Sequence, residues 1–559
     1  MNTSIDPITV EIFHNHLLAV AEEMGVTLVQ TAFSTNIKER RDCSTALFDG
    51  TGQMIAQAEH IPMHLGSLLG AVEAVLGKYG RAGIQPADVF MTNDPYHGGG
   101  THLPDITLVT PVFVGDRLIA FVANIAHHAD VGGKVPGSTS GDSISIFQEG
   151  LRIPLVRLAA GGIVDEDVLG FLTLNSRTPA ERQGDLYAQI AANTVGSRRL
   201  GEVVAKYGLD RFDRLCEMLL NYSERLMRAG LTGITDGHYH FTDYMDDDGI
   251  TLNRPIPVSV AIRKTGSEIE FDFSESSPQV SGPINVPFNA LFATVFYCLK
   301  VIVGGTVPSN HGIYRPVRVV APAGSILNCT EPAPVGQRID TCQRVADVIF
   351  GALADAVPDR IVAASNSSVT TATFSGINPS TGAYFVYLET IAGGSGAHAG
   401  GDGMDGVQVH MTNTSNLPIE ALEMEYPLAV MRYAFRKDSG GAGEFMGGLG
   451  LVRTIEALTD GVVFSGLADR QQIAPWGLRG GKDGLPGRYT LAPADGPERQ
   501  LTSKVSNVTL RKGDRIRVET PGAGGYGDVR KRSADRVRED VANGKISSAF
   551  AARQFDVAV

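Results

Sequence analysis

Two short stretches of this sequence hold the residues best suited to chemistry. In "NDPYHGGGTHLPD", Asn93 to Asp105, an imidazole and a carboxylate, His102 and Asp105, stand three residues apart and flank Pro104. In "NIAHHAD", Asn124 to Asp130, His127, His128 and Asp130 follow one another closely. Imidazole nitrogen and carboxylate oxygen are the donor set of a first-row divalent ion such as zinc or manganese, and three such ligands leave a position open for water. Any one of these histidines, taken singly, reads more naturally as a hydrogen-bonding residue at a strand end. The metal reading depends on the chain bringing the two stretches together.

The intervening residues supply a reason for that encounter. "DITLVTPVFV" and "DRLIAFVANIAHHAD" are strand-like runs on either side of Gly115-Asp116, which predicts a hairpin. Directly opposed side chains of an antiparallel pair lie about 5 Å apart at Cβ, within reach of a shared ion. The hairpin therefore gathers His102, Asp105, His127, His128 and Asp130 into one small volume. Register decides which of them meet. A two-residue loop puts Ala126 opposite Asp105 and leaves His128 on the face of Asp105. A three-residue loop with a bulge selects His127 instead. Spacing leaves both open.

Other polar groups carry weaker signals. "EHIPMHLG" sets His60 and His64 four apart, but Pro62 between them spoils a helical ligand pair, so they read as residues that line a pocket or satisfy buried backbone groups, with support behind a ligand as the alternative. "NIKERRDCST" gathers Glu39, Arg40, Arg41 and Asp42, which alone reads as a solvated charge run. His238 and His240 alternate in a strand and read as structural. The glycine strings "GGAGEFMGGLG" and "TPGAGGYGD" lack the lysine and following helix of a phosphate loop, and no Gly-x-Ser-x-Gly elbow occurs.

Around these residues the expected architecture is α+β and multidomain. The 559 residues exceed what one hydrophobic core organises and imply roughly three or four domain-sized units. Asp6 and Pro7 suit the start of a helix running to about Phe33. "STALFDGTGQMIAQ" predicts a hairpin, and "MHLGSLLGAVEAVLGKYG" an amphipathic helix ending at Gly80. Helices dominate from about Glu181 to Gly230, and a boundary falls near Gly233. Short strands follow through "EIEFDFSES", then helices at "NALFATVFYCLKVIVGG" and "QRVADVIFGALADAVPDR" beside the strand "RPVRVVAP". A glycine-rich β region ends in helices at about Ala534–Asn543 and after Ser547. This divides the chain into 1–233 around the metal site, 234–380 as a middle α/β unit and 381–559, with antiparallel and mixed sheets packed by helices.

Composition narrows the partners. A net charge of −13 and a pI near 5.5 argue against nucleic acid or an anionic membrane. No window approaches the ~20 apolar residues of a membrane span, and the first residues lack the pattern of a secretory signal. Five cysteines without CxxC spacing read as reduced thiols of a cytoplasmic protein.

Taken together, "ERRDCSTALFD", "AQAEHIPMHLGS", "NDPYHGGGTHLPD", "NIAHHADVGG", "QEGLRIP", "HMTNTSNLPIEALEMEYP", "DSGGAGEFMGGLG" and "TPGAGGYGD" resemble the hydantoinase B / 5-oxoprolinase family across essentially the whole chain. The resemblance implies a metal-binding catalytic subunit that opens cyclic amides such as hydantoins, 5-oxoproline or lactams. It implies a hetero-oligomer with a hydantoinase A-like subunit of actin-like ATPase fold, which would bind the ATP and account for the missing phosphate loop. It further implies His102, Asp105 and His127 as metal ligands, with Asp42 approaching the same centre. Asp42 or His128 is then the candidate general base, and Arg40 and Asn93 are candidate substrate anchors. Two alternatives stand beside this reading. One is a subunit of an ATP-dependent ketone carboxylase, to which the family is related; the other is a noncatalytic scaffold for the ATPase partner.

Overall fold

Asp6 accepts a hydrogen bond from the Thr9 amide (3.0 Å) and Pro7 fills the first turn, so a helix begins where the capping chemistry asks for one, and it runs Pro7–Thr31. Its buried stripe, Phe13, Leu17, Val20, Met24 and Leu28, recurs at helical spacing. The structure, a computed structural model, describes residues 6–58 and 60–559. The stripe packs against a second long helix, Pro179–Tyr207. The two backbones come close at Gly196, where a Cβ would sit 2.3 Å from Met24 Sδ. Gly208, at φ 80°, separates that helix from the next, Leu209–Leu231.

These helices cover a seven-stranded sheet. Its strands are β1 (Cys43–Asp49), β2 (Met54–Gln57), β3 (Val89–Thr92), β4 (Asp105–Val114), β5 (Arg117–His127), β6 (Val156–Ala160) and β7 (Ile163–Val164), in the order β2-β1-β5-β4-β3-β6-β7. Every pairing is antiparallel. β4 and β5 lie inside it and are buried along most of their length, which is why both read as nearly unbroken apolar runs. Buried amides join the helix to the sheet: Gln189 donates to the Ile106 carbonyl (2.8 Å) and Asn124 donates to Asn193 Oδ1 (2.7 Å).

The helix expected from "MHLGSLLGAVEAVLGKYG" is broken. A single turn, His64–Ser67, precedes a separate helix, Leu69–Tyr79. Two glycines press backbone against backbone here: a Cβ on Gly66 would lie 3.0 Å from Asn289 O, and one on Gly70 2.8 Å from Gly99 Cα.

Beyond residue 233 come β8 (Gly237–Met245), β9 (Ile256–Thr265), β10 (Glu268–Asp272) and β11 (Val317–Val320), a mixed sheet in which only β10 and β11 run parallel. Helices Phe288–Val303 and Arg338–Leu353 pack beside it. Two antiparallel sheets follow. One orders β13 (Tyr384–Ile391), β12 (Thr370–Ile377), β16 (Val462–Leu467) and β19 (Lys504–Leu510). The other orders β14 (Leu428–Phe435), β15 (Leu451–Ala457), β20 (Arg515–Glu519), β17 (Arg488–Ala492) and β18 (Arg499–Leu501). Helices Ala534–Ala542 and Ser548–Phe555 close the chain where the sequence placed them. The fold is α+β, multidomain, with mostly antiparallel sheets and one mixed sheet.

The largest apolar core draws residues from both sides of Gly233, among them Phe121, Val260, Phe296 and Ile349. No described helix is long and apolar enough to cross a membrane.

Candidate metal centre

The β4–β5 hairpin turns through Gly115-Asp116 with Val114 opposite Arg117, a two-residue loop. Without interruption that loop would set Ala126 against Asp105. Between Val112 and Phe113 the register slips by one, leaving Ile119 as the extra residue on β5. Asp105 therefore faces His127. The bulge lies inside the strand, not in the loop where the alternative register had put it. Its effect on the side chains is the same.

His102, Asp105 and His127 offer donor atoms that all lie within 4.8 Å of one another. His102 Nε2 is 3.2 Å from Asp105 Oδ1, close to the roughly 3.3 Å edge of a tetrahedron with ligand atoms about 2.0–2.1 Å from zinc. The two imidazoles are tilted by 51° with ring centroids 4.9 Å apart. Both nitrogens of His102 and Oδ1 of Asp105 are buried without a hydrogen-bond partner. Such a set of orphaned donors is costly unless something occupies the space between them, and a divalent cation fits this donor set.

Two of the three ligand candidates, Asp105 and His127, are braced from behind. Asp105 Oδ2 accepts from Arg338 Nη2 (2.8 Å) and Thr101 Oγ1 (3.1 Å), which leaves Oδ1 free to face the cavity. Asn36 donates through Nδ2 to the His127 carbonyl (2.8 Å) and contacts the ring at Nδ1 (2.8 Å). Arg40 in turn donates to Asn36 Oδ1, to the Leu388 carbonyl (3.0 Å) and to Thr390 Oγ1 (3.1 Å).

Electrostatics follow from burial. Desolvation holds His102 and His127 below the ordinary imidazole range. Burial opposes charge on Asp105, yet His102 and Arg338 beside it keep its carboxyl well below the usual range. Asp42 goes the other way. Burial pushes it up to about 7, with Asp105 adding to the rise and Arg40 opposing it.

Asp42 and His64 line the same cavity of about 60 Å³ as the three candidates. His64 Nε2 stands 3.9 Å from Asp105 Oδ1, and its Nδ1 is 2.9 Å from Ser44 Oγ. Burial pushes the His64 ring down to about 4. A second cavity of about 440 Å³ shares Ile61 and Thr412 with the first and is lined by His60, Tyr297 and His410.

Not every residue singled out in the sequence reaches the centre. His128 points to the other side of the sheet, its Nε2 2.9 Å from Gln189 Oε1, because consecutive strand residues face opposite ways. Asp130 instead receives Arg177 Nη1 (2.9 Å) and the amides of Gly132, Gly137 and Arg177. Asn93 is engaged entirely by main chain: it donates to the Leu103 (2.7 Å) and Leu151 (2.9 Å) carbonyls and accepts from the Ile153 amide (2.6 Å). It braces the glycine loop and does not line the cavity. Arg40 does line it, but its terminal nitrogens serve Asn36 and β13. His240 is exposed and meets Glu275 (3.0 Å).

The three consecutive glycines are required by packing. Gly99, at φ 81°, lies where a Cβ would come 2.4 Å from the Ala71 amide nitrogen, and one on Gly98 would come 2.2 Å from Thr92 Oγ1.

Arg338, Thr101, Ser44 and Asn36 were not distinguished by sequence reasoning. Thr101 and Ser44 lie inside the "NDPYHGGGTHLPD" and "ERRDCSTALFD" motifs and could have been found there. Arg338 opens a helix 233 residues from Asp105, and nothing local marks it.

Comparison with known proteins adds independent information. Residues 6–529 match the family described as Hydantoinase B/oxoprolinase. A putative D-/L-hydantoinase component of Pseudomonas sp. (strain NS671), named as a subunit, is 35% identical, covering 99% of this chain and 95% of that protein. The crystal structure of the ATP-dependent caprolactamase from Pseudomonas jessenii superposes with a TM-score of 0.94 at 33% identity, covering 100% of this chain and 97% of that one. A nucleotide-free acetone carboxylase structure has a TM-score of 0.93 at 18% identity, with 98% and 79% covered, and shares the fold.

Proposed function

Because this chain belongs to the hydantoinase B/oxoprolinase family, we propose that it is the ring-opening subunit of an ATP-dependent cyclic-amide hydrolase. Hydantoins, 5-oxoproline and lactams are the substrate class. The observation that carries the reading is the trio of buried donors, His102, Asp105 and His127, grouped in a cavity wall with Asp105 Oδ1 and the His102 nitrogens unpartnered.

An unactivated amide resists attack by water, and ATP-dependent activation of its carbonyl oxygen makes the carbon electrophilic. No phosphate-cradling motif occurs in the sequence, and the hydantoinase relative is named as a subunit. ATP is accordingly assigned to a partner subunit of the hydantoinase A type, in a cytoplasmic hetero-oligomer.

His102, Asp105 and His127 would hold zinc or manganese. When bound, that ion supplies Lewis-acid assistance and acidifies water within its reach. Asp42 takes the proton from the attacking water: it lines the cavity beside the trio, the other carboxylate there, Asp340, already accepts from Gln337 Nε2 (2.8 Å) and the Val369 amide (2.7 Å), and His128 faces away. Arg338 and Thr101 hold Asp105 in place, and Asn36 with Arg40 holds His127. The adjoining cavity of about 440 Å³ accommodates the rest of the ring and its substituents.

The test is co-production with a hydantoinase A-type ATPase subunit, followed by a panel of hydantoins, 5-oxoproline and lactams. Ring opening, phosphate release and metal content are measured together. Ring opening coupled to phosphate release supports the proposal. ATP use that requires bicarbonate and a ketone would replace it with a carboxylase. Full turnover by complexes carrying Asp105→Ala and His127→Ala would leave a scaffold.

A further inference from the structure

Gln337 stands where a helix cap is expected and does not act as one. It immediately precedes helix Arg338–Leu353, where a short oxygen-bearing side chain usually accepts from the first free amides, yet its side chain makes no such bond. Instead Nε2 donates to Asp340 Oδ2 (2.8 Å) and to the Ala468 carbonyl (3.2 Å). A main-chain carbonyl only accepts, so the NH2 group faces it and the orientation of the side-chain amide is fixed. Oε1 is the other end, buried and without a partner among the described residues. Gln337 lines the same cavity as the trio, and the next residue, Arg338, holds Asp105. Outside the trio, the other unpartnered polar atoms of residues in that wall are Arg40 Nε and Arg338 Nε, which only donate, and Thr139 Oγ1, which can do either. Asp42 also accepts there, but the ring-opening reading gives it the attacking water.

We propose that Gln337 Oε1 accepts the N–H of the cyclic amide, orienting the ring in the cavity and selecting rings that carry this hydrogen. The inference rests on the ring-opening reading of the same cavity. Once the carbonyl oxygen is activated, nitrogen shares the positive character of the carbon and its hydrogen becomes a stronger donor. A fixed acceptor dipole aimed at that hydrogen therefore stabilises the activated ring more than the resting one. Neutrality matters as well: a glutamine carbonyl is too weak a base to remove the proton, which stays on nitrogen and keeps the carbon electrophilic. Donation from Nε2 to Asp340 polarises the side-chain amide and strengthens Oε1 as an acceptor.

The experiment uses the full chain loaded with zinc, as wild type, Gln337→Met, Gln337→Ser and Thr139→Val. Ligand-observed NMR measures affinity for 2-pyrrolidinone and ε-caprolactam against cyclopentanone and cycloheptanone, ketones of matching ring size with CH2 in place of N–H. Wild type is expected to favour each lactam about tenfold. Both Gln337 variants bring that ratio to within about twofold, and Thr139→Val leaves it unchanged. Gln337→Ser supplies the missing cap and is expected to unfold at a higher urea concentration than Gln337→Met, which separates loss of the acceptor from loss of the fold. With the partner subunit present, Gln337→Met loses about 10–100-fold in kcat/KM for ring opening.

The same ratio in wild type and the Gln337 variants, as when Oε1 meets only water, overturns the proposal. So does a wild type that binds no lactam or favours the ketones, and so does a preference lost in Thr139→Val instead. If Gln337→Met misfolds, Gln337→Ser carries the same comparison. The affinity ratio needs no turnover. A wild-type complex that opens no cyclic amide would therefore end the ring-opening reading, while the acceptor role of Gln337 is judged separately by that ratio.

Discussion

At the scale of single residues, the two oxygens of Asp105 have separate duties: Oδ2 is held by Arg338 and Thr101, and Oδ1 is left for a ligand. Asp105→Ala and His127→Ala are each expected to purify with less than about a tenth of the wild-type metal and to lose ring opening. Arg338→Ala removes only the brace and should weaken metal affinity about 10–100-fold; elemental analysis after dialysis against graded chelator measures both. Asp42 supplies a pH prediction. Its folded-state pKa of about 7 lies above the roughly 3.9 of an unfolded aspartate. Below pH 3.9 both states hold the proton, and between the two values only the native state does. The stability of the metal-free chain should therefore fall as pH rises through about 7 and then level off. Asp42→Asn lacks that slope, and chemical denaturation at pH 5 and pH 8 should show the wild type losing on the order of a few kcal/mol relative to it. For catalysis the sign is opposite. A base works ionised, so the rate is lost as pH falls. Bound metal favours the carboxylate and places that limb at or below about 7.

At the scale of elements, the hairpin and the glycine loop deliver the candidate ligands. Gly99 combines a left-handed φ with backbone contact at Ala71. Gly99→Ala is expected to destabilise the fold by about 2–4 kcal/mol, since strain and overpacking add there, and to lower metal occupancy by disturbing Thr101. Urea denaturation and elemental analysis would register the two effects. Much at this scale was legible beforehand. The capped helix at Pro7, the β1–β2 hairpin, the β4–β5 hairpin and the terminal helices follow local signals of caps, turns and periodicity. The helix through "MHLGSLLGAVEAVLGKYG" was not, because its interruption comes from glycines pressed against distant backbone at Asn289 and Gly99.

At the scale of the whole molecule, buried ion pairs join the C-terminal β region to the middle of the chain. Arg470 Nη2 bridges Asp243 (2.7 Å) and Asp347 (2.8 Å), and Lys504 meets Asp469 (3.3 Å) and Asp247 (3.6 Å). Arg470→Met would leave two carboxylates without that partner in the interior and is expected to cost about 3–5 kcal/mol, read as a lower denaturation midpoint. The sequence by itself determined the donor types, the hairpin that carries them and the α+β character, because caps, turns and apolar runs act over a few residues. Only the tertiary structure decided that His127 faces Asp105, that His128 faces the helix, and that Arg338 and Ser44 support the site. β5 is paired on both edges, with Ala126 opposite Cys43 on β1 and Ile106 on β4. Its register must satisfy two neighbours at once, and the slip at Ile119 that reconciles this with a two-residue turn is a property of the assembled sheet.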